Sequence, residues 1–455
     1  MRRKVDMVNG PLPINLIHFI VPVILTGVLQ LLFNTCDLIV VGQFAGSTAL
    51  AAVGTTGSLI NLLVNAFLGL STGVNVLAAQ AYGARDNEKI SDIIHTSVCL
   101  SVVFGIILAV IGIVICRPSL IAMNTPAEVL DLAVIYMQIY FLGIPAMMLY
   151  NFGAAILRAR GNTKQPLWFL TASGIINVIL NLIFVLGFHM SVMGVALATT
   201  ASQFVSAILI VLYLADPSDP YGLEFRKIRI EKSLLGQIFR IGIPASINGM
   251  VFSISNIQIQ ASINLFGAAA MAGSSASSNI EGFIYTSMNA VHHGALNFAG
   301  QNYGAGQKEK IPKILWLCIL YVAVIGLVLG SVMLLFKEPL LKLYVSDVPS
   351  IQYGVLRANI ICSTYFICGM MDIFPGVLRG MGYSVMPMIV SLVGACGFRL
   401  IWIATVFQWF FSLETLFISY PISWALTMLV HAICYLVVMK REKKKDLLVR
   451  NGACS

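Results

Sequence analysis

Hydrophobic residues in this chain come in long unbroken runs divided by short polar or Pro/Gly breaks. A helix needs about 20 apolar residues to cross a bilayer, whereas the strands of a membrane barrel would alternate in polarity. The pattern therefore predicts twelve helical spans, near residues 14–43, 49–80, 90–116, 128–157, 166–188, 192–215, 235–263, 270–300, 312–336, 350–378, 385–409 and 414–439. The longest polar interval, Asp216 to Lys232, is 17 residues, too short for a soluble domain.

Composition agrees. Of 455 residues, 58% are hydrophobic and 10% charged, against about 25% charged in soluble domains. The opening MRRK leads into an apolar segment too long for a cleaved signal peptide. The net charge of +9 implies no nucleic acid, because the cations are segregated by the spans. With the N-terminus inside, the cytoplasmic segments hold 22 of the 28 Lys and Arg, including Arg2, Arg3, Lys4, Arg226, Lys227, Arg229 and Lys232. The outer loops hold three, Arg117, Lys337 and Lys342. This asymmetry predicts a multi-pass plasma-membrane protein, in a bacterium of the inner membrane, with both termini cytoplasmic. Nine Cys are scattered without a CxxC pair and suit small buried hydrophobes, so no metal and no cofactor is expected.

The two halves repeat. Gln80-Ala81-Tyr82-Gly83-Ala84 recurs as Gln301-Asn302-Tyr303-Gly304-Ala305, and Leu157-Arg158, Gly161 and Pro166 recur as Leu378-Arg379, Gly382 and Pro387. Pro22, Gly27 and Asn34 recur as Pro244, Gly249 and Asn256. An even number of helices separates the equivalents, so both repeats cross the membrane in the same sense. The predicted fold is an all-α membrane protein: twelve transmembrane helices in two parallel six-helix lobes related by a pseudo-twofold along the membrane normal. The lobes are expected at 1–215 and 235–440, with a cytoplasmic linker at 216–234 and a basic tail at 441–455. In a secondary transporter of this kind the substrate site lies between the lobes.

Asp37 is the only Asp, Glu, Lys or Arg between Asp6 and Arg85. An acid within a span costs roughly 2.5–3.5 kcal/mol on insertion scales. It shares a helical stripe with Thr26, Gln30 and Asn34, which could hydrogen-bond it or complete a cation shell. The plain alternative is a carboxylate hydrogen-bonded within the bundle.

In this order and spacing, the helix-1 pattern around Asp37 and Val41-Gly42, both QxYGA loops and both LRxxG turns resemble the multidrug and toxic compound extrusion (MATE) family over essentially the whole chain. The resemblance implies a V-shaped cavity and export of organic, often cationic, drugs in exchange for inward H⁺ or Na⁺. It carries the helix-1 acid over to Asp37. Many members read NxxLD on helix 5, where this chain reads Asn177-Val178-Ile179-Leu180-Asn181. An Asn cannot titrate, so the weight falls on Asp37. Members coupled to Na⁺ resemble one another in a helix-7 Glu, and helix 7 here has no acid.

The second half offers a polar site of Glu281, Asp372 and Arg399. Each has a structural alternative as part of a buried ion pair, Asp372 with Arg399 or Arg357, and Glu281 with an Arg. His292 and His293 point about 100° apart on a helix and cannot chelate one ion well. Tyr140, Met147, Tyr150, Tyr285 and Met288 could supply adaptable apolar surface for substrates, although plain packing explains each one singly. The expected partners are small cationic molecules and membrane lipids, and the expected state is a monomer. Rival readings are a flippase of lipid-linked saccharides, which needs a basic cavity, and a non-transporting receptor. A major-facilitator protein would carry a DRxGRR-like loop after helix 2, and an intramembrane enzyme would need an HExxH, GxSxG or Cys/His constellation; none is present.

Overall fold

The computed structural model describes residues 5–450, apart from Asn124, Ser218 and Pro220; of Ser47, Leu50, Ser58, Ala66, Val449 and Arg450 it describes the backbone alone. Arg2, Arg3 and Lys4 and the end of the expected tail, 451–455, lie outside the described residues. The described residues contain no strand. In the first half the long helices are α1 (Leu12–Val40), α2 (Ser47–Ala84), α3 (Asn87–Ala122), α4 (Ala127–Ala159), α5 (Lys164–Leu182) and α6 (Ser191–Leu214). The second half contains α7 (Lys232–Asn264), α8 (Ala268–Gly304), α9 (Ile311–Leu335), a short α10 (Lys337–Lys342) and α11 (Val348–Gly380). It ends with α12 (Val385–Ser391), α13 (Phe398–Ala404), α14 (Val406–Trp409) and α15 (Leu413–Arg450).

Among the described residues, eleven helical stretches are long and apolar enough to cross a membrane, with α12 to α14 counting as one. The 37-residue α8 takes the place of the eighth predicted span. Its Ser274, Ser275, Ser277, Ser278, Asn279 and Glu281 make it less apolar than the others. The twelve expected spans are thus all helical. Several run past their apolar stretch. α2 continues to Ala84 and α15 through the basic residues to Arg450, where the apolar run predicted an end near 439.

The chain packs as two compact units. One is Met1–Met250 with Gly300–Lys308; the other is Val251–Ala299 with Glu309–Ser455. In the first unit α4 is central, packing on α2, α3 and α6, while α5 packs on α1 and α6. In the second, α11 packs between α9 and α15. Pro22, Pro145 and Pro375 lie inside α1, α4 and α11, which remain continuous.

The repeated turns are built in two ways. Gly83 and Gly304 sit where helix ends meet: a Cβ on Gly83 would collide with the Gln301 carbonyl, and one on Gly304 with the Gln80 carbonyl. Gly161 and Gly382 instead take positive φ, +83° and +91°, after their LRxxG helices. In the first unit the chain's start is also tied down. Val5 N donates to Gly161 O at 3.2 Å and Asn302 Nδ2 to Met7 O at 2.9 Å.

Candidate functional site

Asp37 lies in α1, half-buried, and its carboxylate turns toward α5 and α6. Asn181 Nδ2 donates to Asp37 Oδ1 at 2.5 Å, and the Thr199 hydroxyl lies 3.3 Å from Oδ2. The second hydrogen of the Asn181 amide reaches Asn177 Oδ1 at 3.3 Å, and Asn177 Nδ2 reaches Thr199 Oγ1 at 3.4 Å. Asn177 and Asn181 are one turn apart, so α5 presents both amides on one face. Asn181 is fully buried.

The two carboxylate oxygens differ. Oδ1 takes a short bond from Asn181. Oδ2 is met more weakly, by the Thr199 hydroxyl, whose single hydrogen also faces Val195 O at 3.0 Å. Asn181 Oδ1 is buried and has no hydrogen-bond partner among the described residues. A buried acceptor is normally satisfied, so here an unpaired carbonyl oxygen lies in the amide that grips the carboxylate. Both carrier helices widen to a π-helical turn just past their site residue, α1 at Val41–Ala45 and α5 at Ile183–Gly187. The two π turns pack together, and that of α1 also packs on α6. Such turns occur frequently at functional sites.

Gln30 and Asn34 are not part of this cluster. Both are exposed and make no hydrogen bond to Asp37 among the described residues. Gln30 lies seven residues back, ~10 Å along the axis, beyond hydrogen-bond reach. Thr199 was not anticipated from the sequence. Its signal is faint: Thr199, Ser202, Gln203 and Ser206 form a polar stripe on an otherwise apolar helix.

Beside the cluster, Tyr140 lies within electrostatic reach of Asp37, as does Tyr136, which stacks on it with ring centroids 6.2 Å apart. The Tyr140 hydroxyl is 4.0 Å from Met147 Sδ. Tyr150 donates to Pro166 O at 3.0 Å, tying α4 to α5. In the second unit Tyr285 is 41% exposed, while Met288 is 2% exposed and fills the helix crossing at Gly326 and Gly369.

The second-half charges pair differently from one of the expected arrangements. Glu281 binds Arg357 in a buried two-pronged pair, Nε to Oε1 at 2.9 Å and Nη2 to Oε2 at 2.8 Å, and Ser277 adds a bond of 2.8 Å to Oε1. Asp372 forms no ion pair with Arg399 or Arg357. Arg399 donates to Ser423 Oγ at 3.0 Å and lies 4.2 Å above the Tyr420 ring. α13 holds Arg399 against α15, so an aromatic face and a hydroxyl stand where a carboxylate was expected. Arg379, of the second LRxxG turn, is buried, 7% exposed. The His292 and His293 rings are edge-on at 5.8 Å, and His292 Nδ1 donates to Asp372 O at 2.7 Å. No group of three or more His, Cys, Asp or Glu among the described residues could hold a metal ion.

The MatE family model matches residues 22–183 and again 244–405, two stretches that begin at Pro22 and Pro244. The probable multidrug resistance protein YoeA of Bacillus subtilis (strain 168) is 27% identical over 441 residues, covering 94% of this chain and 95% of that protein. The probable multidrug resistance protein NorM of Thermotoga maritima is 26% identical over 392 residues, 85% of this chain and 83% of that one. A solved structure described as a crystal structure of MATE in complex with MaL6 superposes with a TM-score of 0.90 at 20% identity, covering 98% of this chain and all of that one. At that identity the likeness speaks for the fold; the doubled family match, spanning well over half of the chain, speaks for kinship. The chain belongs to the MatE family of multidrug efflux transporters.

Proposed function

We propose that this transporter is a secondary antiporter, exporting organic cations in exchange for inward H⁺ or Na⁺, with Asp37 as the ion-binding group. The observation that carries the reading is the contrast between the two Asp37 oxygens, one gripped by Asn181 at 2.5 Å and the other met at 3.3 Å by a shared hydroxyl. Oδ2 is the oxygen that takes the ion. A proton needs no more than that oxygen. A sodium ion would add the unpaired Asn181 Oδ1 and the Thr199 hydroxyl as hard oxygen ligands.

Neutralising the carboxylate removes its attraction for a cationic substrate and loosens the α1 to α5 tie. The substrate leaves outward and the ion leaves to the cytoplasm in the alternate state. Coupling lies in the different affinities of the two states for ion and substrate. With α1 starting at Leu12, Asp37 lies ~38 Å along its axis, toward the outer end if the N-terminus is cytoplasmic. The test is dye efflux from reconstituted vesicles under an imposed pH gradient and, separately, an imposed Na⁺ gradient. Efflux driven by one of them supports the reading, and efflux driven by neither removes it.

A further inference from the structure

The 216–234 segment is not a slack tether. Its backbone is fastened to the third turn of α3. Glu224 N donates to His95 Nε2 at 3.0 Å, Glu231 N donates to Thr96 Oγ1 at 3.2 Å, and that hydroxyl donates to Arg229 O at 3.3 Å. Tyr221 OH donates to Asn87 Oδ1 at 2.9 Å, and Arg160 binds Asp219 through both guanidinium nitrogens in a pair that is nearly buried. The His95 ring is committed on both sides, since its Nδ1 donates to Ser91 O at 2.7 Å.

Between these fastenings, residues 226–229 border a cavity of about 410 Å³, lined by Ser91, Asp92, His95, Arg226, Lys227 and Arg229 with Ile228. Three cations thus face one carboxylate. Arg229 reaches Asp92 at 3.2 Å, and Lys227 reaches Glu224 at 2.7 Å. Arg226 makes no ion pair or hydrogen bond among the described residues. The neighbouring cavity, of about 310 Å³, has the opposite character, with Asp86, Glu88, Asp92 and Glu231 against Lys89. Arg226, Lys227 and Arg229 thus line one cavity, and most of the nearby carboxylates line the other. Beside the cationic one, Phe225 and Ile230 are 64% and 39% exposed, apolar side chains alternating with the cations along one short segment. The pocket lies four to eight residues into α3, within ~12 Å of the helix start, the depth of a lipid headgroup for a span this long.

We infer that this pocket is a binding site for a phosphate-bearing anion, and that its occupant is the headgroup of an anionic lipid, with Phe225 and Ile230 seated among the acyl chains. Phosphate oxygens match the donors of Arg226, Lys227 and Arg229. Exposed apolar side chains beside them are what a membrane surface accommodates and a free anion has no use for. The site goes beyond antiport and does not depend on it.

The test is native mass spectrometry of the detergent-purified full chain with phosphatidylglycerol and, separately, phosphatidylcholine, a measurement indifferent to membrane orientation. The wild type should retain phosphatidylglycerol over phosphatidylcholine. Each Lys or Arg near a surface contributes about fivefold to anionic-lipid attraction, so the Arg226→Gln/Lys227→Gln variant should lose at least tenfold in phosphatidylglycerol affinity. Removing the same charge from the tail, as Lys443→Gln/Lys444→Gln, should leave affinity within twofold. Equal losses in both variants, or none in either, would overturn the site. Displacement of phosphatidylglycerol by millimolar inorganic phosphate would show that it reads the free anion, and would overturn the lipid assignment.

Discussion

Asn181 grips the Asp37 carboxylate across 144 residues of chain, at 2.5 Å. The bond fixes how α1 lies on α5, and it does so through the one charged side chain of α1. Any change in the charge of Asp37 is therefore felt by the helix packing, which is what a coupling site requires.

Asn181→Ala tests that connection. It removes a hydrogen bond to a charged group, ~1.5–3 kcal/mol, and loosens the tie of α1 to α5 without touching the titratable residue. Ion-driven efflux is expected to fall at least tenfold at matched expression. An unchanged rate would mean that the amide only packs.

The buried Glu281–Arg357 pair predicts a stability signature in the second unit. Glu281→Gln or Arg357→Gln alone leaves one buried charge unpaired, costing ~3–5 kcal/mol, and should lower the yield and unfolding temperature of the purified protein. The double substitution should recover much of the loss. Wild-type stability in Glu281→Gln would contradict the geometry.

Two glycines separate close approach from empty space. Gly83→Ala places a methyl against the Gln301 backbone, and overpacking of this kind costs about 1–3 kcal/mol. Gly57 in the same helix has nothing within 4 Å of an added Cβ. Gly57→Ala should be neutral or stabilising by about 0.5–1 kcal/mol. Thermal unfolding of the two variants side by side distinguishes them.

Much of the fold could be read from the chain because apolar runs and their breaks set helix number and order directly, and because the repeated Gln-x-Tyr-Gly-Ala and Leu-Arg-x-x-Gly turns recur at a constant offset. Asp37 stood out as a lone acid in a long apolar interval. Its partners did not. Stripe periodicity ranks residues by angle and ignores axial distance, so it favoured Gln30, which is too far along the helix. Thr199 is a common residue that also bonds its own helix at Val195, which hides any second role. Pairing among Glu281, Asp372, Arg357 and Arg399 depends on helix rotation, which isolated charges do not reveal. Hence Arg357 rather than Arg399 took the carboxylate, and it took that of Glu281.

Orientation rests on the cation asymmetry and can be probed with single cysteines on a background lacking the nine native ones. Ser119 and Ser346 should label from outside in intact cells, and Gly306 should not. External labelling at Gly306 would invert or break the assigned topology.

Asp37→Asn removes the titratable group of the proposed ion site. It preserves shape and can still accept from Asn181, so expression and fold should match the wild type. Protonation makes Asp37 neutral, so wild-type binding of a cationic dye should strengthen as pH rises; in Asp37→Asn it should be weaker and flat with pH. The direct measurement is dye efflux by both proteins from one vesicle preparation, under the same gradient and at equal protein content. Efflux is expected from the wild type and none above background from Asp37→Asn. Efflux by Asp37→Asn at the wild-type rate would contradict this role of Asp37.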